Sequence, residues 1–162
     1  QALVYVSCFN KRITHAKNKY NKQSGRQPHP LDDVPHIDVL FAEVYRLKSP
    51  SCPGGFRYLA VEDHLEGDYE KWNNNDGFVN KTDCMKCKVA QAFSHFSYEK
   101  SDRKEMVVDI QGSGNSDTCM YTDPQLHSVM KEFGRADRGT AGIDTFFATH
   151  KCNFICKAIG LP

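Results

Sequence analysis

Apolar residues recur at three- and four-residue intervals near the start of the chain, at Leu3, Val6, Phe9 and Ile13, and this spacing predicts an amphipathic helix over 2–20. The stretch 21–35 holds Gly25, Pro28, Pro30 and Pro35 among polar residues and predicts a flexible connector. Strand-like runs over 37–47 and 56–61 flank Pro50, Pro53, Gly54 and Gly55, which suits an antiparallel pair joined by a turn. From Glu62 to Asn75 the chain is too polar for a core element and reads as surface or site. Val89, Ala92, Phe93 and Phe96 then share one face of a helix expected over 87–99, with His95 on the border of that face. Residues 105–110 read as a compact strand with a glycine-assisted exit at Gln111-Gly112-Ser113-Gly114. Thr122-Asp123-Pro124 has the chemistry to open a short helical turn, 134–142 reads as a loop, and helical spacing resumes over 143–159.

Composition narrows this picture. With 162 residues, 40% of them hydrophobic and 25% charged, the chain has the size of one globular domain. A domain of this length buries roughly 70% of its unfolded-chain surface, so disorder and a disulfide miniprotein are both disfavoured. The net charge of +1 and the scattered basic residues argue against a nucleic-acid partner. No apolar run approaches the roughly 20 residues of a membrane span, and a soluble protein is expected. Ala2 to Phe9 lacks the features of a secretory signal, and seven cysteines are an odd number for a disulfide framework, so a reducing, cytoplasmic setting is expected. Gln1 in place of an initiator Met makes the chain read as a fragment.

Three groups of residues carry candidate chemistry. Cys152 and Cys156 are four apart, which on a continuous helix puts them on one face, and His150 stands just before them. Such soft and borderline ligands suit Zn²⁺, which takes four in a structural site. The fourth is open between His95 and the Cys84/Cys87 pair, and small buried thiols with a capping His150 are the plainer alternative. Cys84 and Cys87, flanked by Lys81, Lys86 and Lys88, read more readily as solvent-facing thiols than as a metal site.

The second group, Asp109, Gln111 and Asp123, places oxygen ligands at a strand end and the following turn, a set that suits Mg²⁺ and phosphoryl transfer. Turn and helix capping would explain the same aspartates. The third is the G-x-A-x-x-G loop Gly134-Arg135-Ala136-Asp137-Arg138-Gly139, which could approach an anion but matches neither a Walker loop nor a dinucleotide fingerprint.

In this order the motifs resemble the alpha-kinase family of atypical protein kinases. The likeness rests on Val61-Glu62-Asp63-His64-Leu65-Glu66-Gly67 running to Lys71-Trp72-Asn73-Asn74-Asn75, and on Phe93-Ser94-His95-Phe96-Ser97-Tyr98. It continues through Val108-Asp109-Ile110-Gln111-Gly112, Tyr121-Thr122-Asp123-Pro124-Gln125, the glycine loop and the His-x-Cys-x-x-x-Cys ending. The resemblance implies an α+β, two-lobed protein-kinase-like fold with a structural zinc in the large lobe. Residues 1–61 would be the remainder of a truncated small lobe and 62–162 the large lobe.

It further implies transfer of the ATP γ-phosphate to Ser or Thr of a protein substrate with Mg²⁺. By resemblance Asp109 is the catalytic aspartate, Gln111 and Asp123 hold Mg²⁺, Glu62 meets the adenine, and Lys71 lies near the nucleotide, with Trp72 in place of the usual Tyr. The zinc ligands by resemblance are His95, His150, Cys152 and Cys156. The family's ATP-contacting Lys, on a strand ahead of the first helix, has no match in the chain. A zinc-stabilised pseudokinase or binding module is therefore the competing expectation, and a disulfide-bonded extracellular domain a third.

Overall fold

The computed structural model describes residues 1–24 and 29–162. Helix α1 (Ala2–Ser24) is followed by β1 (His36–Val39), β2 (Glu43–Lys48), β3 (Phe56–Val61), β4 (Glu70–Lys71) and α2 (Met85–Lys100). Four short strands come next, β5 (Glu105–Val108), β6 (Gln111–Gly114), β7 (Thr118–Tyr121) and β8 (Gln125–Ser128), and then α3 (Thr140–Thr149) and α4 (Phe154–Ala158). The expected α+β character holds.

The i, i+3, i+4 stripe of α1 buries Tyr5, Val6, Phe9 and Ile13. Phe9 meets Phe93 and Phe96 of α2 edge-on, with ring centroids 5.6 and 5.4 Å apart. Strands β1, β7, β6 and β4 form one sheet in that order, with β1 parallel to β7 and the other pairs antiparallel. Beneath it, Trp72 and Tyr121 are fully buried against each other at 5.4 Å. Strand β5 pairs with β8 and is buried on both faces: Val107 joins the main core, while Met106 and Val108 pack with Ile143 and Phe146 of α3.

Several local expectations are corrected. The run 37–47 is two strands: β1 joins the four-stranded sheet beside β7, and only β2 pairs with β3. The break falls at Leu40-Phe41-Ala42, where the chain leaves one sheet for the other. The expected connector is helical as far as Ser24, and Leu31 within it is fully buried, whereas residues 25–28 lie outside the described residues. Gln111–Gly114 is strand β6 rather than an exit loop, because the chain already turns at Asp109, whose φ of 60° ends β5. Pro124 opens strand β8, not a helix, since Gln125–Ser128 finds a ladder partner in β5. Helical spacing over 143–159 is interrupted at His150–Asn153, and Asn153 starts α4 by accepting the amides of Ile155 and Cys156. The polar 62–75 segment is not wholly surface, because Trp72 and Asn73 are buried.

No described helix is long and apolar enough to cross a membrane.

Candidate active site and metal-binding cluster

Strand β4 and the loop before β6 meet edge to edge, and this contact sets the first site. Trp72 N–H donates to the Ile110 carbonyl at 2.9 Å, and the buried Asn73 Oδ1 accepts from Ile110 N–H at 2.9 Å while its Nδ2 donates to Ser94 Oγ at 3.0 Å. Ile110 is thereby gripped on both backbone groups, and its neighbours Asp109 and Gln111 are aimed at Lys71. The Lys71 Nζ sits 2.5 Å from Asp109 Oδ1 in a charge contact and donates to Gln111 Oε1 at 2.9 Å. One ammonium thus bridges two side-chain oxygens from either side of Ile110.

The backbone here is unusual. Asp109 and Asp123 both hold left-handed conformations, at φ 60° and 44°, which cost a non-glycine residue energy and persist where surrounding bonds impose them. Gly112 is required by the sheet: a Cβ there would meet the Met120 carbonyl oxygen at 2.1 Å. Because Gly112 pairs with Tyr121, Gln111 faces Thr122, whose amide donates to the Gln111 carbonyl at 3.0 Å. The Thr122 hydroxyl in turn donates to the half-buried Glu62 carboxylate. Glu62, Lys71, Asp109 and Gln111 are therefore joined directly or through Thr122, and the exposed Asp123 follows Thr122 at the same end of the β6–β7 pair.

The second cluster forms where α2 passes the loop between α3 and α4. One ligand atom from each of His95, His150, Cys152 and Cys156 lies within 4.8 Å of all the others. Cys152 Sγ is 3.5 Å from His95 Nδ1 and 3.6 Å from His150 Nε2, and Cys156 Sγ is 3.9 Å from His150 Nε2. A tetrahedral ion with bonds of about 2.1 Å to nitrogen and 2.3 Å to sulfur sets N···S separations of about 3.6 Å, so the donor set and its spacing fit zinc.

Burial lowers the pKa of His95, and burial with the charge of His95 lowers that of His150 to about 4, keeping both imidazoles neutral and able to ligate. Burial pushes the Cys156 thiol up to about 12, a bias that a bound cation would reverse. Cys152 and Cys156 come together without sharing a helical face, since Cys152 lies in the loop before α4. His95 is 3% exposed rather than at a border.

Residues that spacing did not single out support both sites. Gln91 lies one turn before His95, a legible i, i+4 relation, and its Oε1 stands 3.2 Å from His150 Nδ1, which turns Nε2 toward the sulfurs. Asn73 was hidden within a polar triplet. In the glycine loop, the buried Asp137 accepts from Ser128 N–H and Oγ–H and from the amides of Phe133 and Gly139. Burial opposes ionisation of Asp137, but these hydrogen bonds outweigh it and hold the carboxyl below its ordinary value. The amides of Phe133 and Gly139, at the two ends of the loop, are therefore turned inward to a carboxylate of the chain. Cys87, expected to face solvent, is 4% exposed.

A model of the alpha-kinase family matches residues 1–156. The chain belongs to the alpha-kinase family. It is 42% identical over 159 residues to alpha-protein kinase 1 of Dictyostelium discoideum, covering 98% of this chain and 10% of that protein. It is 44% identical over 145 residues to eukaryotic elongation factor 2 kinase of Caenorhabditis elegans, covering 89% of this chain and 16% of the relative. The inactive alpha-kinase domain of myosin heavy chain kinase A, an Asp→Ala variant in complex with ATP, matches with a TM-score of 0.70 and 35% identity over 91% of this chain and 53% of that one. The same domain in complex with adenosine gives a TM-score of 0.70 and 34% identity, over all of this chain and 57% of the other. The mixed α/β alpha-kinase domain fold is thus shown, and the chain spans only a minor part of these curated alpha-kinases and little more than half of the solved domains.

Proposed function

We propose that this alpha-kinase chain contributes the large-lobe machinery for transferring the γ-phosphoryl group of ATP to Ser or Thr of a protein substrate. The observation that carries the reading is the Lys71 ammonium held between Asp109 Oδ1 and Gln111 Oε1, two oxygens that converge on a positive charge. In this reading Asp109 orients the incoming hydroxyl and accepts its proton, and Glu62 meets the adenine side of ATP. Gln111 and Asp123 would hold Mg²⁺, which when bound offsets charge on the phosphates. Lys71, whose ammonium meets Asp109 and Gln111, would lie near the nucleotide in the same reading. The ATP complex of the similar myosin heavy chain kinase A domain supports ATP as the donor.

His95, His150, Cys152 and Cys156 would hold a zinc ion that ties α2 to the end of the chain and so stabilises the large lobe. The division at residues 61 and 62 belongs to the same proposal. Val44 and Tyr58 lie on the same face of the β2–β3 hairpin and are both exposed, which suits a face covered by further small-lobe structure.

The test is transfer from radiolabelled ATP to a Ser/Thr-bearing protein, comparing the 162 residues with an N-terminally extended protein and with its Asp109→Ala variant. Phosphoserine or phosphothreonine from the extended protein and none from the variant is expected. Wild-type-like transfer by the variant would overturn the role of Asp109, and no transfer by the extended protein would favour a zinc-stabilised binding module.

A further inference from the structure

We propose that Cys84 and Cys87 are a reversible disulfide site at the start of α2, separate from the oxygen-ligand site and from the His/Cys cluster. Their sulfurs lie 2.8 Å apart, about 0.8 Å beyond a disulfide bond. Cys84 is the extended N-cap of α2, with φ −126° and ψ 158°, and its sulfur accepts the amide of Cys87 at 3.3 Å. Cys87 lies in the first turn, three residues on, so the helix start itself points the two side chains at one another.

The two thiols are unequal. Cys84 is half-buried and within reach of a small oxidant, and it is the sulfur that receives the helix amide. Cys87 is buried, and burial together with the neighbouring Cys84 pushes its thiol up to about 12. Cys84 is therefore the attacking sulfur and Cys87 the resolving one. With a low-molecular-weight disulfide as oxidant, the Cys84 thiolate attacks one sulfur, and the other leaves as a thiolate that takes up a proton. Cys87, losing its proton, then displaces the second small thiol from Cys84. One protein S–S bond forms, the oxidant's S–S bond breaks, and the two protein S–H protons end on two small thiols.

Only two residues separate the cysteines, so the closed ring is small and removes little entropy from the unfolded chain. The fold then does little to hold the bond shut, as expected of a bond that opens and closes. Of the sulfurs nearby, Cys119 is 1% exposed, and burial pushes its thiol up to about 11, which keeps it out of the exchange.

The zinc-supplemented protein is equilibrated over a series of reduced and oxidised glutathione ratios, quenched in acid, alkylated, digested and analysed by mass spectrometry. The expected result is a peptide containing Cys84 and Cys87 that loses the mass of two hydrogens in one two-electron transition, while Cys8, Cys52 and Cys119 stay alkylated. Cys87→Ser is expected to accumulate glutathione on Cys84, Cys84→Ser to lose the transition, and Cys119→Ser to retain it. Full alkylation of both cysteines at the most oxidising ratio, a bond from Cys84 to any other cysteine, or a second zinc per chain lost on Cys84→Ser would each overturn the proposal.

Discussion

Gly142 lies so close to His127 that a Cβ on it would stand 2.4 Å from the ring Cδ2 and 2.5 Å from Nε2. The His127 ring is fully buried, its Nε2 donating to the Asn75 carbonyl at 3.1 Å and its Nδ1 accepting the Arg138 amide at 3.1 Å. The ring thus ties the segment after β4 to the glycine loop and cannot yield without losing two hydrogen bonds. Gly142→Ala is expected to destabilise the protein by about 1–3 kcal/mol through overpacking, read as a lower denaturant midpoint with an unchanged slope.

His127 also predicts a pH response. Burial lowers its pKa below the ordinary histidine value, so on acidification the unfolded chain takes up the proton first. The stability His127 contributes is complete above about pH 6.5 and is lost as pH falls below that value toward the folded pKa. Nitrogen NMR of the imidazole should show one neutral tautomer, protonated at Nε2, persisting below pH 6.5. A ring titrating at or above 6.5 would contradict the buried geometry.

Asn73→Ala removes the acceptor for Ile110 N–H and the donor to Ser94 in a buried setting. A loss of about 1–3 kcal/mol is expected from the unpaired amide. If Asp109 and Gln111 serve the proposed reaction, phosphoryl transfer by the N-terminally extended protein should fall even at temperatures where the variant remains folded, because Ile110 lies between them. Circular dichroism alongside the transfer assay separates the two effects.

Lys71→Met separates charge from fold. Lys71 is 39% exposed in its contact with Asp109, so its removal should cost less than about 1 kcal/mol of stability. If it serves a transferring phosphoryl group, activity should fall by about 10²–10³-fold. A kcat within a few fold of the parent would remove Lys71 from the proposed machinery.

If the proposed zinc is bound, Cys156→Ser and prolonged chelation should each release about one ion per chain and lower the thermal midpoint, and in the chelated parent Cys156 and Cys152 should become alkylated only after release. Elemental analysis before and after chelation checks the stoichiometry. A metal-free protein with an unchanged midpoint would make the cluster one buried and one exposed thiol packed with two imidazoles.

Gln91 is a positioning residue for that cluster, because its Oε1 faces His150 Nδ1. Gln91→Leu is expected to weaken zinc retention by about 10–100-fold in a competition with a chelator, while Gln91→Glu, which keeps an acceptor, restores most of it.

The apolar spacing of α1 and α2, the chain order of Asp109, Gln111 and Asp123, and the His-x-Cys-x-x-x-Cys ending were all legible along the chain, because each expresses a local period or a motif. Partnership between distant segments was not. Residues 37–47 carry one continuous strand-like pattern, yet β1 and β2 enter different sheets, since pairing is decided by whichever backbone edge lies alongside. Pro124 has helix-opening chemistry, but the free edge of β5 captures the residues after it. Asn73 resembles its polar neighbours until Ile110 presents an unpaired amide to it, and Cys152 reaches Cys156 through a loop rather than along a helix. Local propensity and motif order thus determined the cores of α1 and α2 and the candidate ligands. Tertiary packing alone decided which polar groups were drawn out of water together, because a buried hydrogen bond or ligand set needs both partners and only the folded chain supplies the second.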